Sequence, residues 1–468
     1  MAAGLRGKRI DGGRPSVQDE GNLLPMPNHP TATNNSLQTR RQFIKQSTAL
    51  ASGAGLGLAL SSRLGAQGMG ANGRVVFGLI GCGTMGRENM RHFLELNQPV
   101  AAVCDVDQSH LERAAAEVVK AGQAAPKKFK DFRQLLEQKD IDAVIIGTPD
   151  HWHALTFIAA CEAGKDIYCE KPISHSLVEA KAMLGAARHF NRVVQIGTWQ
   201  RSMKHFQDAI AFVRSGKLGK INLCRAWMCY YLPDIGRQSP QPPPAGLDWD
   251  FWLGPSPMRP YQPNRCHEHW RWFYDTGGSL MSDWGVHMID IVLLAMRESD
   301  PVSIVATGGK LATNDDRDTP DTLEVTYRFP KWLLNWEHRF NNPRGLDGGK
   351  EHGAEFIGDN GSLVVDRGGY RFYPYPPDRE GPPRSEWVDS THWQNFLDCL
   401  KSRNQPASGI ESMAKTTIVC HLGNIAFQSG RILNWDARQQ DVAHPRDVKD
   451  CVSYEREYRS PWNLKVYS

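Results

Sequence analysis

The chain has 468 residues, 40% of them hydrophobic and 23% charged, with a formal net charge of +4. This is the balance of a soluble globular protein with room for two or three domains, and so small a charge with no basic stripe argues against a nucleic-acid binder. Ten cysteines occur without a CxxC pair. Cys82, Cys104 and Cys169 fall on or beside strand-like apolar runs and Cys161 on a helical one, so they read as buried reduced thiols.

Residues 1–73 read as an address and a disordered linker. Thr39-Arg40-Arg41-Gln42-Phe43-Ile44-Lys45 resembles the bacterial twin-arginine export signal. The uncharged, glycine-rich run from Ala49 to Leu60 that follows is too short for an ordinary transmembrane helix. Small residues around Ala66 and Ala71 offer cleavage sites, and no cysteine precedes Cys82, which argues against a lipoprotein anchor. The polar stretch before Arg40 is long, and Met26 is an alternative start. Export by this route carries folded proteins. The expectation is a periplasmic or extracellular protein that uses the twin-arginine machinery, has no stable membrane anchor, and folds its thiols in a reducing compartment.

Residues 74–198 alternate strands and helices. Val75-Val76-Phe77-Gly78-Leu79-Ile80 leads into Gly81-Cys82-Gly83-Thr84-Met85-Gly86. A helical stretch follows, then a second apolar run, Val100–Cys104, that ends at Asp105. The glycines keep the turn tight and let backbone amides approach a pyrophosphate at a helix N-terminus. An acid about 20 residues further on is where a ribose hydroxyl is held. Further strands are predicted to end near Gly147, Cys169 and Ile196, with amphipathic helices such as Leu111–Lys120 and Leu177–His189 between them. This is the pattern of a doubly wound parallel sheet.

Residues 199–468 change character. A helix is expected at His205–Arg214 and a strand at Asn222–Tyr231, then a proline-rich loop, Ser239–Pro244. Strands follow at Val302–Thr307, Thr322–Phe329, Trp332–Phe340, Ala354–Ile357 and Ser362–Val365. Their tandem order predicts an α+β domain with a mostly antiparallel open sheet. Arg367–Pro383 reads as a proline- and aromatic-rich loop, and two late helices are expected at Trp393–Ser402 and Ser412–Ser429.

Two groups carry chemistry. Lys171, in Tyr168-Cys169-Glu170-Lys171-Pro172, stands at the carboxyl end of a strand and so points toward the nucleotide crevice. Asp283 and His287 are four apart, and on one helix they share a face. A carboxylate beside an imidazole favours the imidazolium and orients the ring for general-base work near neutral pH. Two ligands at that spacing do not make a metal site, and Cys266-His267-Glu268-His269 reads as a solvated loop, so no metal is expected.

In that order, Gly81-x-Gly83-x-x-Gly86, Thr148-Pro149-Asp150-His151-Trp152-His153, Glu170-Lys171-Pro172 and Asp283-x-x-x-His287 resemble the glucose–fructose oxidoreductase/inositol dehydrogenase/rhizopine catabolism (Gfo/Idh/MocA) family over about Arg74 to Asp436. Leu247–Pro255 looks like a branch common among exported members. The resemblance implies that Lys171 hydrogen-bonds the reacting hydroxyl, that His287 takes its proton, and that Asp283 orients substrate or imidazole. It places Gly81, Gly83, Thr84, Met85, Gly86, Asp105, Thr148, Pro149, His153, Glu170 and Lys171 around the cofactor. Many relatives carry Asn where this chain has Asp150, which is therefore not carried over. Asp105 favours NAD over NADP, because a carboxylate repels a 2′-phosphate; exported relatives that use NADP keep that alternative open.

Aromatic residues crowd Trp249–Trp284, and Gln200, Arg201, Arg271 and Trp272 are candidate substrate contacts beside them. Rings packed on sugar faces with polar neighbours suit a carbohydrate or cyclitol. The expected function is an exported, nicotinamide-dependent oxidoreductase that takes hydride from a secondary alcohol of a sugar, glycoside or cyclitol and holds its cofactor tightly. A glycoside hydrolase that works by transient oxidation is the rival, and that branch lacks the lysine kept here as Lys171. A non-catalytic nucleotide-binding protein is the third reading. The resemblance also implies a homo-oligomer, and an open sheet with an aromatic face would suit one.

Overall fold

The computed structural model describes residues 73–467 except 379, 380, 384 and 387. The expected leader, with its expected export motif and cleavage sites, lies outside the described residues. No described helix is long and apolar enough to cross a membrane.

The first sheet is parallel throughout and has the order β3-β2-β1-β4-β5-β6. Its strands are β1 (Phe77–Ile80), β2 (Val100–Cys104), β3 (Lys127–Phe129), β4 (Ala143–Ile146), β5 (Asp166–Cys169) and β6 (Val194–Ile196). β1, β4, β5 and β6 are buried at every position, as expected for strands covered on both faces. The helices are α1 (Thr84–Glu95), α2 (Gln108–Lys120), α3 (Phe132–Leu136), α4 (Asp150–Glu162) and α5 (Leu177–His189). Asp107 caps α2 by accepting from Ser109 N and His110 N, and Ser176 caps α5 by accepting from Glu179 N. α1 starts at Gly83 with no side-chain cap, which leaves its first amides open to a ligand.

The second sheet has the order β14-β13-β12-β11-β7-β10-β9-β8-β15-β16. It comprises β7 (Ile221–Tyr230), β8 (Ser303–Gly309), β9 (Thr322–Arg328), β10 (Leu333–Phe340), β11 (His352–Gly358), β12 (Gly361–Asp366), β13 (Gly369–Pro374), β14 (Ser385–Glu386), β15 (Leu433–Asp436) and β16 (Asp441–Val442). Among its described pairs only β7 and β10 run parallel. α6 (Lys204–Arg214), α9 (Gly285–Met296) and α11 (Ile410–Ser429) pack on one face. There Trp336, Tyr327 and Phe356 are at most 1% exposed. These three aromatic side chains point at helices, whereas Trp227 is buried on the other face of the sheet, with Cys229, Val364 and Tyr373. β13 is a correction: it lies inside the stretch expected to be a loop.

The chain also returns to the first sheet. Gln108 N donates to Gly246 O and Asp248 N to Val106 O, which clips 246–248 onto the β2–α2 turn. The short α7 (Trp249–Leu253) follows, with Trp249 and Trp252 stacked at 4.8 Å and Trp462 stacked on Phe251. The aromatic crowding thus mostly builds a floor that joins the second half to the first.

Candidate active site

The carboxyl ends of β1, β2, β4 and β5 open into a cavity of about 370 Å³, where doubly wound sheets take their ligands. Gly81, Gly83, Thr84, Met85, Asp105, Thr148, Pro149, Asp150, Glu170, Lys171, Arg271 and Asp283 line it. Gly81 sits at φ +88°, and a Cβ there would stand 2.6 Å from Thr148 N. A Cβ on Gly86 would stand 1.9 Å from Gly81 O, whereas one on Gly83 would meet nothing within 4 Å. Gly81 and Gly86 thus close the turn against the sheet, and Gly83 leaves room before the amides of α1. The residues present fit a dinucleotide pyrophosphate at that position.

Asp105 is half-buried, and its carboxylate accepts from Cys82 N at 2.6 Å and from Asp107 N at 2.9 Å. It therefore holds the glycine loop as well as facing the cavity. Burial pushes its carboxyl up to about 6 against those two amides. Arg113 and Lys130 line the same end and were not anticipated from the sequence.

Lys171 Nζ donates to Asp283 Oδ1 at 2.6 Å and to Asp283 O at 3.2 Å, and Arg271 Nε lies 3.6 Å from Asp283 Oδ2. Burial raises the Asp283 carboxyl, but Lys171 and then Arg271 outweigh it and hold the group below the usual range. Asp283 is thus a carboxylate locked to Lys171. It is not an anchor for His287. The single helix expected across Asp283–His287 breaks at Trp284, between α8 (Ser279–Asp283) and α9. His287 is 4% exposed, and its Nδ1 has no hydrogen-bond partner. Burial, then the charges of Lys171 and Arg367, push its imidazole well below the ordinary value. The expected imidazolium is therefore corrected to a neutral ring.

The remaining candidates divide. Arg271 is at the cavity. Gln200 is buried, with Oε1 accepting from Arg367 at 3.2 Å and Nε2 unpartnered. Arg201 is instead a core residue: it clasps Asp290 and donates to Ser412 Oγ at 2.7 Å. Trp272 packs at 4% exposure, edge-on to Phe340. Neither lines the cavity, because each is taken up by packing that sequence spacing does not reveal. His153 does not line it either; its two ring nitrogens bond Pro172 O and Thr148 O and so position the two loops that do. Glu170 is buried and bonded to Asn89 at 2.8 Å.

Sequence reasoning missed Arg367. Its guanidinium lies 4.6 Å from the Trp199 ring centre and 4.3 Å from that of Trp284, whose ring centre is 5.1 Å from that of His352. It follows β12 in a stretch with no motif. His287 Nδ1, His352 Nε2 and Gln200 Nε2 around it are all buried without a protein partner, and none of these residues lines the cavity described above.

Residues 75–198 match the model of an oxidoreductase family with an NAD-binding Rossmann fold, and residues 223–329 match that family's C-terminal alpha/beta domain. The chain belongs to the Gfo/Idh/MocA oxidoreductase family. It is an NAD-binding oxidoreductase. It is 30% identical over 150 residues to inositol 2-dehydrogenase of Salmonella typhimurium, covering 31% of this chain and 42% of that one. It is 31% identical over 182 residues to levoglucosan dehydrogenase of Pseudarthrobacter phenanthrenivorans, covering 37% and 44%. Aldose-aldose oxidoreductase of Caulobacter crescentus, solved with glycerol, shares the fold at a TM-score of 0.58 and 19% identity, over 77% of this chain and 99% of that one.

Proposed function

We propose that this chain oxidises a secondary alcohol of a sugar, glycoside or cyclitol, is exported through the twin-arginine route, and keeps its dinucleotide through turnover. The observation that carries the substrate class is the trio of unpartnered buried polar atoms, His287 Nδ1, His352 Nε2 and Gln200 Nε2, set around the Trp199–Arg367–Trp284 stack. Buried polar groups without partners are costly, and a ring bearing several hydroxyls would satisfy them while packing a face on tryptophan. The sugar and cyclitol dehydrogenases among its relatives support the same class.

When bound, the dinucleotide supplies the hydride acceptor. The Lys171 ammonium, held by Asp283, hydrogen-bonds the reacting oxygen and stabilises charge as the alkoxide develops. His287, already neutral, accepts the hydroxyl proton at Nδ1 as the C–H pair departs and the C=O bond forms. Asp283 fixes the ammonium, and Arg271 keeps that carboxylate ionised.

The test combines cofactor release from the full chain, recovered from the periplasmic fraction of a bacterial host, with a panel of sugars, cyclitols and aryl glycosides. The expected result is bound NAD(H) and absorbance at the reduced-nicotinamide band with at least one sugar or cyclitol. Lys171→Ala is expected to lower turnover by about 10²-fold or more with nucleotide still bound. Aglycone release without net reduced nicotinamide would establish the hydrolase instead, and a protein that binds neither dinucleotide would sink the proposal.

A further inference from the structure

One cluster of ligand-type side chains is unused by this chemistry. It lies where the His267 loop meets the first sheet. Asp107, His110 and His267 place one ligand atom each within 4.8 Å of one another. His267 Nε2 is 3.2 Å from Asp107 Oδ2, and the two imidazole centres are 4.4 Å apart. Around a tetrahedral ion with bonds of 2.0–2.1 Å, ligand atoms stand about 3.4 Å apart, so small side-chain rotations complete the set.

Three features prearrange it. Asp107 Oδ1 is spent on the α2 amides of Ser109 and His110, which fixes the carboxylate and leaves Oδ2 for the ion. His110 stands on the first turn of α2, so its backbone is rigid. His267 comes from the opposite half at φ +50°, a left-handed conformation uncommon for a residue other than glycine. Both histidines line the dinucleotide cavity, next to Asp105. One residue further on, Glu268 reaches Thr84 Oγ1, at the first turn of α1, at 3.5 Å.

We propose that Asp107, His110 and His267 bind one divalent transition-metal ion of the zinc class, and that this ion straps the 266–271 loop across the dinucleotide cavity. Two imidazoles and one carboxylate suit zinc and its neighbours, whereas magnesium prefers an all-oxygen shell. Three protein ligands leave a position open, the arrangement of an accessible zinc site. All ten cysteines are buried in the folded chain and do not compete for the ion. The strap rests on the dinucleotide occupying this cavity; the metal site does not.

Zinc and, separately, magnesium are titrated calorimetrically into the nucleotide-free full chain, the Asp107→Asn and His267→Asn variants, and His110→Ala. Asparagine keeps the α2 cap in the first and tolerates the left-handed backbone in the second, so both fold, as melting curves check. The expected result is one zinc per chain, weakened at least 100-fold by His267→Asn or His110→Ala and at least 10-fold by Asp107→Asn. Zinc binding that the variants leave unchanged, or magnesium binding as tight as zinc, overturns the site. NADH dissociation is then followed with and without zinc. A several-fold slowing in the parent that is lost in His267→Asn supports the strap, and an unchanged rate overturns it.

Discussion

Two carboxyl groups near one ammonium divide into different states, and the division is visible in their partners. Asp283 has Lys171 at 2.6 Å and Arg271 beyond it, so it stays ionised despite burial. Asp150 is 2% exposed, has Oδ1 unbonded, and feels the Asp283 charge. Burial first and that charge second push its carboxyl well above the usual range. An acid whose folded-state pKa is raised binds its proton more tightly folded than unfolded, so it adds stability only in acid and subtracts it as pH rises. Asp150→Asn keeps the shape of the neutral acid and removes that loss. The variant is expected to be more stable than the parent at pH 7–8 by about 1–3 kcal/mol, the scale of one buried unsatisfied polar group, and so to melt at a higher temperature. The gap should close toward pH 4. Thermal melts across that range test this, and a variant less stable than the parent at pH 8 would contradict the assignment of Asp150 as a protonated acid.

At the scale of elements, the glycine turn makes the sharpest distinction between fold and binding. A Cβ at position 86 collides with Gly81 O at 1.9 Å, and Gly147 packs its own Cα side against Gly86. Gly86→Ala must therefore lift α1 off the sheet and is expected to cost about 1–3 kcal/mol, as overpacking does. Gly83→Ala meets no protein atom, so its melting point should match the parent's while NAD(H) binding weakens at least tenfold. Equal nucleotide affinity in Gly83→Ala would place the pyrophosphate elsewhere; calorimetric titration decides. The same turn explains what the sequence made legible. Strand, glycines, helix and Asp105 are local in the chain, and their order sufficed to place the cavity. β3 was missed because Lys127–Phe129 is a short edge strand with two exposed lysines, and β13 because its aromatic and proline content resembles a loop. The break at Trp284 escaped because residue spacing assumes a continuous helix. Arg201 and Trp272 looked like site residues for a similar reason: polarity and aromaticity do not tell whether the partner is a ligand or, as for Arg201, an aspartate 89 residues away in the chain.

Across the whole molecule, burial of histidine sets the response to acid. His151, His153, His175, His205, His287, His338, His392 and His421 are all at most 4% exposed. Burial dominates each shift and lowers every one: His151 to about 3, and His338, His392 and His421 to about 4. A histidine with a depressed folded-state pKa stays neutral in the fold while the unfolded chain takes up a proton below about 6.5. Stability is therefore intact above 6.5 and falls as pH drops toward the folded value. Each group with a value near 4 accounts for roughly 3 kcal/mol when that window is crossed, and two or three of them rival a typical total stability of about 5–15 kcal/mol. Asp105 and Asp318, both raised to about 6 chiefly by burial, pull the other way over the same range, as do Asp150 and Glu170. The histidines outnumber these acids, so the chain should take up protons on unfolding near pH 5.5 and lose melting temperature steadily from pH 6.5 to 4. Calorimetric unfolding in buffers of different ionisation enthalpy reads that uptake directly. Net proton release at pH 5.5 would mean that the buried acids, and not the imidazoles, govern the acid limb.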